Sequence, residues 1–249
     1  MNDEIDRKRA IIESIGDVQG KAFGELLPAV RDRGGSTDKA LGHRVLREYL
    51  GSVVKESDGP AVFRTLPVAP NGRVREPTKL RRLDFQAVVG TPYSSSAVAA
   101  TLRAILFVPI LKPDTKLPAD WSFERPFLWT PSADEWSQLE KDYETIRGII
   151  LRGEGDSLSS SRGIGHGRIM MPKTSGRTRE DVEAYDIGGR RVAVRRRAFF
   201  LRQPYTEWLL NSSHFEGSPG SRASRRPAKA RDSVDDVVEE LVRIFDRHA

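Results

Sequence analysis

The stretch that most constrains this chain is Val62-Phe-Arg-Thr-Leu-Pro-Val68, a short apolar run closed by Pro67 and the turn Pro70-Asn71-Gly72. A run of that length, bounded by turn residues, reads as a strand, here entered from a loop that carries Glu56 and Asp58. Strand signals continue at Asp84–Val89 and Ala104–Ile110, and the helical segment Ser96–Arg103 feeds directly into the last of these. Leu128-Trp-Thr-Pro131 closes another extended piece. Ser132–Leu151 is the longest expected helix. Ser132 stands as N-cap, Asp134 and Glu135 fall in the first turn, and Gly153 lies just past the end. Trp136, Leu139, Tyr143, Ile146 and Ile150 share one face of it and are assigned to core.

Towards the N-terminus, Asp3–Ile15 has helical spacing, Gly20–Pro28 holds a second short helical piece, and Thr37 or Asp38 caps a helix to Leu50. Arg168–Lys173 and Arg191–Phe200 are strands, and Tyr205–Leu210 is a short helix. From residue 213 to 232 the composition shifts to Ser, Gly, Pro and Arg, which reads as a basic linker. Residues 233–249 then carry a capped amphipathic helix that docks on the body or takes a protein partner. The organisation expected is a body over 1–212, a linker over 213–232 and a helix over 233–249.

Composition narrows the function. The 249 residues include no cysteine, so disulfides, thiolate nucleophiles and cysteine zinc sites are excluded. No run reaches the roughly 18–20 apolar residues that span a bilayer. The longest, Ala97–Leu111, is broken by Thr101 and Arg103. A cytoplasmic, nucleoid-associated protein with no membrane partner is the expectation. The net charge is +6, with arginines concentrated at 190–202 and again at 222–231. The first cluster is interleaved with Val192, Val194, Phe199 and Phe200, as in a strand with one packed face, which favours contact with nucleic acid. The glycine cluster Gly163-Ile-Gly-His-Gly167 lacks the Lys-Ser/Thr ending of a phosphate loop. His43 has no second ligand at metal spacing and is read as a surface or DNA-facing polar residue.

Several segments, in order, resemble the MutH family, the mismatch-repair nicking endonucleases and their GATC-cutting restriction relatives. They are Gly20-Lys-Ala-Phe-Gly-Glu-Leu-Leu27, Lys39-Ala-Leu-Gly42 with Glu48-Tyr-Leu-Gly51, Arg64-Thr-Leu-Pro-Val68 with Asn71-Gly-Arg73, Val98–Pro109, Phe127-Leu-Trp-Thr-Pro-Ser132, Arg168–Lys173 and Arg197-Ala-Phe-Phe-Leu-Arg202. The resemblance runs over about residues 10–215. It implies a mixed α/β fold of the restriction-endonuclease type, with two lobes and a central mixed sheet flanked by helices. It also implies double-stranded DNA as partner and Mg²⁺-dependent hydrolysis.

The residues that should carry that hydrolysis are replaced. Alignment on Thr65-Leu-Pro67 puts Lys55 near the family's aspartate, Val62 at the glutamate, Arg64 at the lysine and Thr101 at the later lysine. Too few carboxylates converge to hold Mg²⁺ or activate water. No catalytic residue and no cofactor are therefore expected, and the chain leans away from being an enzyme. A relocated site would use Glu48, Asp58 and Glu76, and only then is Mg²⁺ required. The DNA-reading parts are better kept. The resemblance implies base contact by Lys173, flanked by Arg168, Arg177 and Arg179, with Phe200 where the family has tyrosine. Tyr93, Arg195 and Arg197 complete the DNA-binding set. The expected function is a nuclease-dead module that binds duplex DNA and senses a modified base, 5-methylcytosine ahead of N6-methyladenine. An active endonuclease with relocated ligands and a DNA-bound adaptor acting through 233–249 are the alternatives.

Overall fold

The computed structural model describes residues 16–27, 41–42, 45, 48, 61–114, 117–158, 165, 167–175, 181–185 and 191–214. The helix expected over 3–15 lies outside them, as does the one over 233–249, and of the loop 174–179 only Thr174 and Ser175 are described. Two compact units form, each from segments distant in sequence. The first holds the described residues within Met1–Glu76, Ala104–Thr130 and Glu207–Ala249, and the second those within Pro77–Arg103 and Pro131–Thr206. The fold is mixed α/β, with helices packed against its sheets.

The first unit is built on β1 (Ala61–Val68) and β3 (Ala104–Leu111), which run parallel with Phe63 opposite Leu106 and Leu66 opposite Pro109. A strand buried on both faces needs an uninterrupted apolar sequence, and Ala-Ile-Leu-Phe-Val-Pro-Ile of β3 is buried throughout. The other edge of β3 pairs antiparallel with β4 (Ser122–Phe123) and with β5 (Phe127–Trp129), so the sheet is mixed. Pro109 lies between those two pairings. Its carbonyl accepts from Glu124 N–H on that side, so its missing N–H falls in a gap of the ladder rather than inside it. The face carrying Ala104, Leu106, Val108 and Ile110 is covered by Val18, by Phe23 of α1 (Phe23–Leu26) and by the helical residues Leu41 and Val45. Gly42 packs closely there, and a Cβ at that position would lie 2.1 Å from Ile110 Cδ1, so that side chain would have to shift.

The second unit contains an antiparallel sheet of β2 (Thr78–Arg82), β9 (Arg197–Leu201) and β6 (Met170–Thr174), in that order, and a separate hairpin of β7 (Asp181–Tyr185) with β8 (Arg191–Arg195). Its helices are α2 (Phe85–Gly90), α3 (Ala97–Leu102) and α4 (Ala133–Leu151). α4 begins as expected. Ser132 accepts from Glu135 N–H while the Glu135 carboxylate accepts from Ser132 N–H, a complete capping box. Leu139, Tyr143, Ile146 and Ile150 are buried on one face, and Tyr143 stacks on Phe199 at 5.8 Å.

Two expectations are corrected. Asp84–Val89 is helical, because the Asp84 carboxylate accepts from Gln86 and Ala87 N–H and Phe85 and Val88 bury one turn apart. The run Arg191–Phe200 is two strands broken at Arg196: β8 pairs with β7, while β9 pairs with β2 and β6. α5 (Gln203–His214) extends into the stretch expected as linker. Among the described residues no helix is long and apolar enough to cross a membrane.

One side chain fixes the entry to β6. Asp142 is 3% exposed, and its carboxylate accepts from Arg168 N–H at 3.0 Å, Ile169 N–H at 2.7 Å, Met170 N–H at 2.8 Å and Gln138 Nε2 at 2.8 Å. Arg202 works on the same segment through its carbonyls, donating from Nη1 to Gly167 and Arg168 and from its backbone N–H to Ile169. Gly167 has to be glycine, as a Cβ would sit 2.2 Å from Asp142 Cγ. Asp142→Ala strips an acceptor from three backbone donors, two of them buried, and should cost roughly 3 kcal/mol of stability. Asp142→Asn should cost less, because one carbonyl oxygen remains. Thermal melts of the two variants check this, and an unchanged midpoint for Asp142→Ala would contradict it.

Candidate functional site

β6 and β9 bring two of the expected DNA-reading residues together. Met171 pairs with Phe200 and Lys173 with Ala198, so Lys173 and Phe200 stand on one face of the sheet. Lys173 Nζ lies 5.6 Å from the centre of the Phe200 ring, within reach of a cation–π attraction worth about 0.5–1 kcal/mol at a surface. Both side chains are half-buried, with Met171 and Ala198 buried on the same face, while the opposite face carries the buried Met170, Phe199 and Leu201. The face is therefore a half-buried aromatic ring with a tethered ammonium beside it.

β2 adds charge that the sequence alone did not disclose. Lys79 pairs with Phe200 and Arg82 with Ala198, and both cations are exposed. The ladder slips between Lys79 and Arg81, which makes Leu80 the extra residue of a β-bulge. Lys79 and Arg82, three residues apart, thereby reach the same face as Lys173. The signal for the strand was the alternation Thr78-Lys-Leu-Arg, whose Thr and Leu are buried and whose Lys and Arg are exposed.

The remaining expected DNA contacts divide. Arg168 has an exposed side chain while its backbone is held by Asp142 and Arg202. Arg195 is exposed, with its N–H on Asp156 Oδ1 at 3.4 Å. Arg177 and Arg179 lie outside the described residues. Arg197 is corrected: it is 6% exposed, and its Nη2 donates to the Asp156 carbonyl at 3.0 Å. Burial pushes its pKa down, against the pull of Asp156, and the nearby Arg195 adds to the lowering. That contact braces the 3₁₀ turn Gly155–Ser157.

Tyr93 is also corrected. Its loop position suggested a groove-facing ring, yet it is 1% exposed and packs on Trp136 at 5.2 Å and Tyr143 at 5.6 Å. Its N–H donates to Glu144 Oε1, and its hydroxyl is buried without a hydrogen-bond partner. Desolvation raises the Tyr93 pKa, and the carboxylates of Glu140 and Asp142 raise it further. Tyr143 is raised as well, chiefly by burial and then by Glu144, and its hydroxyl donates to Thr91 O at 2.9 Å.

In the first unit, β1 carries Val62 and Arg64 at the positions the resemblance gives to an acid and a lysine. Arg64 Nη1 donates to the Phe63 carbonyl at 3.0 Å. In the second unit, Thr101 is buried and its hydroxyl donates back to Ala97 O, a contact internal to α3. Of the fallback acids, Glu48 is exposed, Glu76 is half-buried and Asp58 lies outside the described residues, as does Lys55 at the aligned aspartate position. At the aligned positions themselves, the side chains of Val62 and Arg64 do not fit a magnesium ion. Among the described residues no three His, Cys, Asp or Glu side chains are grouped to hold a metal, and an apolar valine and a guanidinium cannot ligate one.

Residues 63–142 match the family model described as DNA mismatch repair enzyme MutH. The chain is 25% identical over 222 residues to the DNA mismatch repair protein MutH of Serratia proteamaculans, covering 84% of this chain and 94% of that protein. Against the protein of that name from Vibrio parahaemolyticus it is 26% identical over 224 residues, covering 84% and 96%. Against that of Klebsiella pneumoniae strain 342 it is 28% identical over 209 residues, covering 79% and 87%. The chain is MutH-like in sequence over most of its length. Its mixed α/β fold agrees with the restriction-endonuclease-like architecture that the resemblance implied.

The MutH-like chain carries a testable alkaline signature. Above the ordinary tyrosine pKa of about 10, the unfolded chain ionises while buried Tyr93 and Tyr143 stay neutral. Stability is thus fully present below pH ~10 and falls as pH rises from there towards the higher native values. Tyr93→Phe removes an unpartnered hydroxyl, so it should leave stability at pH 7 equal or raise it by up to roughly 1 kcal/mol. It should also make the alkaline decline shallower. Urea midpoints at neutral pH and at pH ~10.5 check both points, and a large loss at neutral pH would mean that the hydroxyl has a partner.

Proposed function

We propose that this MutH-like chain binds duplex DNA through the sheet face of its second unit, reads a modified base there, and does not cut. The observation that carries the reading is the adjacency of Lys173 and Phe200, side by side on β6 and β9. An ammonium group donates well to guanine O6 and N7 in the major groove, and an apolar ring beside it suits a methyl group on a pyrimidine. Phe200 has no hydroxyl, so it lacks a polar handle for discriminating an adenine amino group; that favours 5-methylcytosine. The net charge of +6 and the relatives named for DNA mismatch repair support an anionic duplex as ligand.

The non-cutting half of the reading is supported by Val62, Arg64 and Thr101 at the positions where the resemblance places an acid and two lysines. Arginine there is a delocalised fork and not the compact point charge that steadies an attacking water.

Gel-shift and cleavage assays on one set of duplexes test this, using unmodified, adenine-methylated and cytosine-methylated DNA with and without Mg²⁺ or Mn²⁺ at fixed salt. The expected result is a shift without cutting, strongest on the cytosine-methylated duplex. Lys173→Ala should weaken that shift about tenfold, the cost of one good base contact. Equal binding of all three duplexes would sink modified-base sensing. Metal-dependent cutting that Glu48→Ala, Asp58→Ala or Glu76→Ala abolishes would instead make the chain an active endonuclease with relocated ligands.

A further inference from the structure

On the same sheet, β2 presents a charge pattern that neither base reading nor folding requires. Lys79, Arg81 and Arg82 are all exposed within a strand of five residues, and β2 has β9 as its one partner among the described strands. Charge on an edge strand does discourage pairing with another chain. That purpose, however, is met by a cation anywhere along the strand, and here the placement is more specific. The bulge at Leu80 returns Arg82 to the face that carries Lys79, where unbroken alternation would have turned it inward. Two rows then cross the sheet, Lys79–Phe200–Met171 and Arg82–Ala198–Lys173. In the second row the two cations stand two strand spacings apart, roughly 10 Å between backbones, with only the small Ala198 between them.

We infer that Lys79 and Arg82 are phosphate-contacting residues that position a duplex over Phe200, leaving base discrimination to Lys173. This inference rests on the DNA-binding reading above and adds a division of labour within that face. Cations flanking a half-buried ring on an exposed edge strand suit phosphates, which are reached from outside a groove. Lys173, tethered over the ring and flanked by β9, is limited to what lies directly above the sheet. Phosphate contacts set register and orientation and carry no sequence information themselves, so the two roles predict different responses to salt and to base sequence.

The experiment is a salt titration of binding by the full chain, with one cytosine-methylated duplex and one unrelated duplex. Lys79→Gln and Arg82→Gln should each lower the slope of log affinity against log salt by about one, equally on both duplexes. The double variant should lose roughly tenfold less affinity than the parent chain between about 50 and 200 mM salt. Lys173→Ala should change the ratio between the two duplexes. Lys141→Gln, at an exposed lysine of α4 and not on a strand of this sheet, controls for net charge and should leave the slope unchanged. An unchanged slope in the Lys79 and Arg82 variants, with binding by the parent chain intact, overturns the inference and spares the DNA-binding reading. The same holds if Lys141→Gln lowers the slope as much as they do. If the parent chain fails to bind either duplex, both readings fall. Light scattering on the same variants separates out the edge-protection role, since variants that aggregate with an unchanged slope mark β2 as a guarded edge only.

Discussion

The second unit depends on one buried carboxylate. Asp142 lies on the inner face of α4 and is satisfied by three successive backbone donors at the start of β6 and by Gln138. A buried charge is tolerable only with such saturation, and saturation of this kind dictates geometry. The three N–H groups must converge, so the chain through Gly167–Met170 takes one path. Arg202 secures that path from its carbonyl side. The strand that follows then meets β9 in a fixed register, which sets Lys173 against Phe200. Helix, strand entry and candidate reading face form a single mechanical chain.

The first unit rests on a different constraint. β3 is buried on both faces and runs parallel to β1, so its sequence has to be apolar from end to end and its proline must fall where no ladder bond is needed. The scaffold on which a nuclease of this fold would mount its chemistry is thereby retained by packing alone. Nothing in that packing demands acids at position 62 or a lysine at 64, so the scaffold persists whether or not such residues do. Fold and chemistry are separable here for a physical reason.

Much of this was legible beforehand where local rules decide the outcome. The capping box at Ser132, the apolar stripe of α4, and strands β1 and β3 followed from caps and periodicity. Asp142 was legible too, since its spacing from Leu139 and Ile146 puts it on the buried stripe, but an apolar count passes over it. Asp84–Val89 misled because two consecutive valines favour a strand, while the Asp84 cap and the Phe85–Val88 spacing favour one turn of helix more strongly. The break at Arg196 depends on which strands pair with β8 and β9, and no local signal encodes that. Tyr93 misled in the opposite sense. A loop residue is expected outside, and only the distant rings of Trp136 and Tyr143 bring it in.

The extra residue at Leu80 has a consequence of parity. In a regular strand, neighbours of odd spacing face opposite ways, so a basic pair three residues apart would be split between core and solvent. One extra residue reverses the count for everything beyond it. The electrostatic character of this face is consequently a property of register and not of composition: a sequence with the same residues and no bulge would carry the same net charge and present a different surface. Among relatives, the gain or loss of a single residue in this strand would redirect the field of the sheet as surely as replacing an arginine.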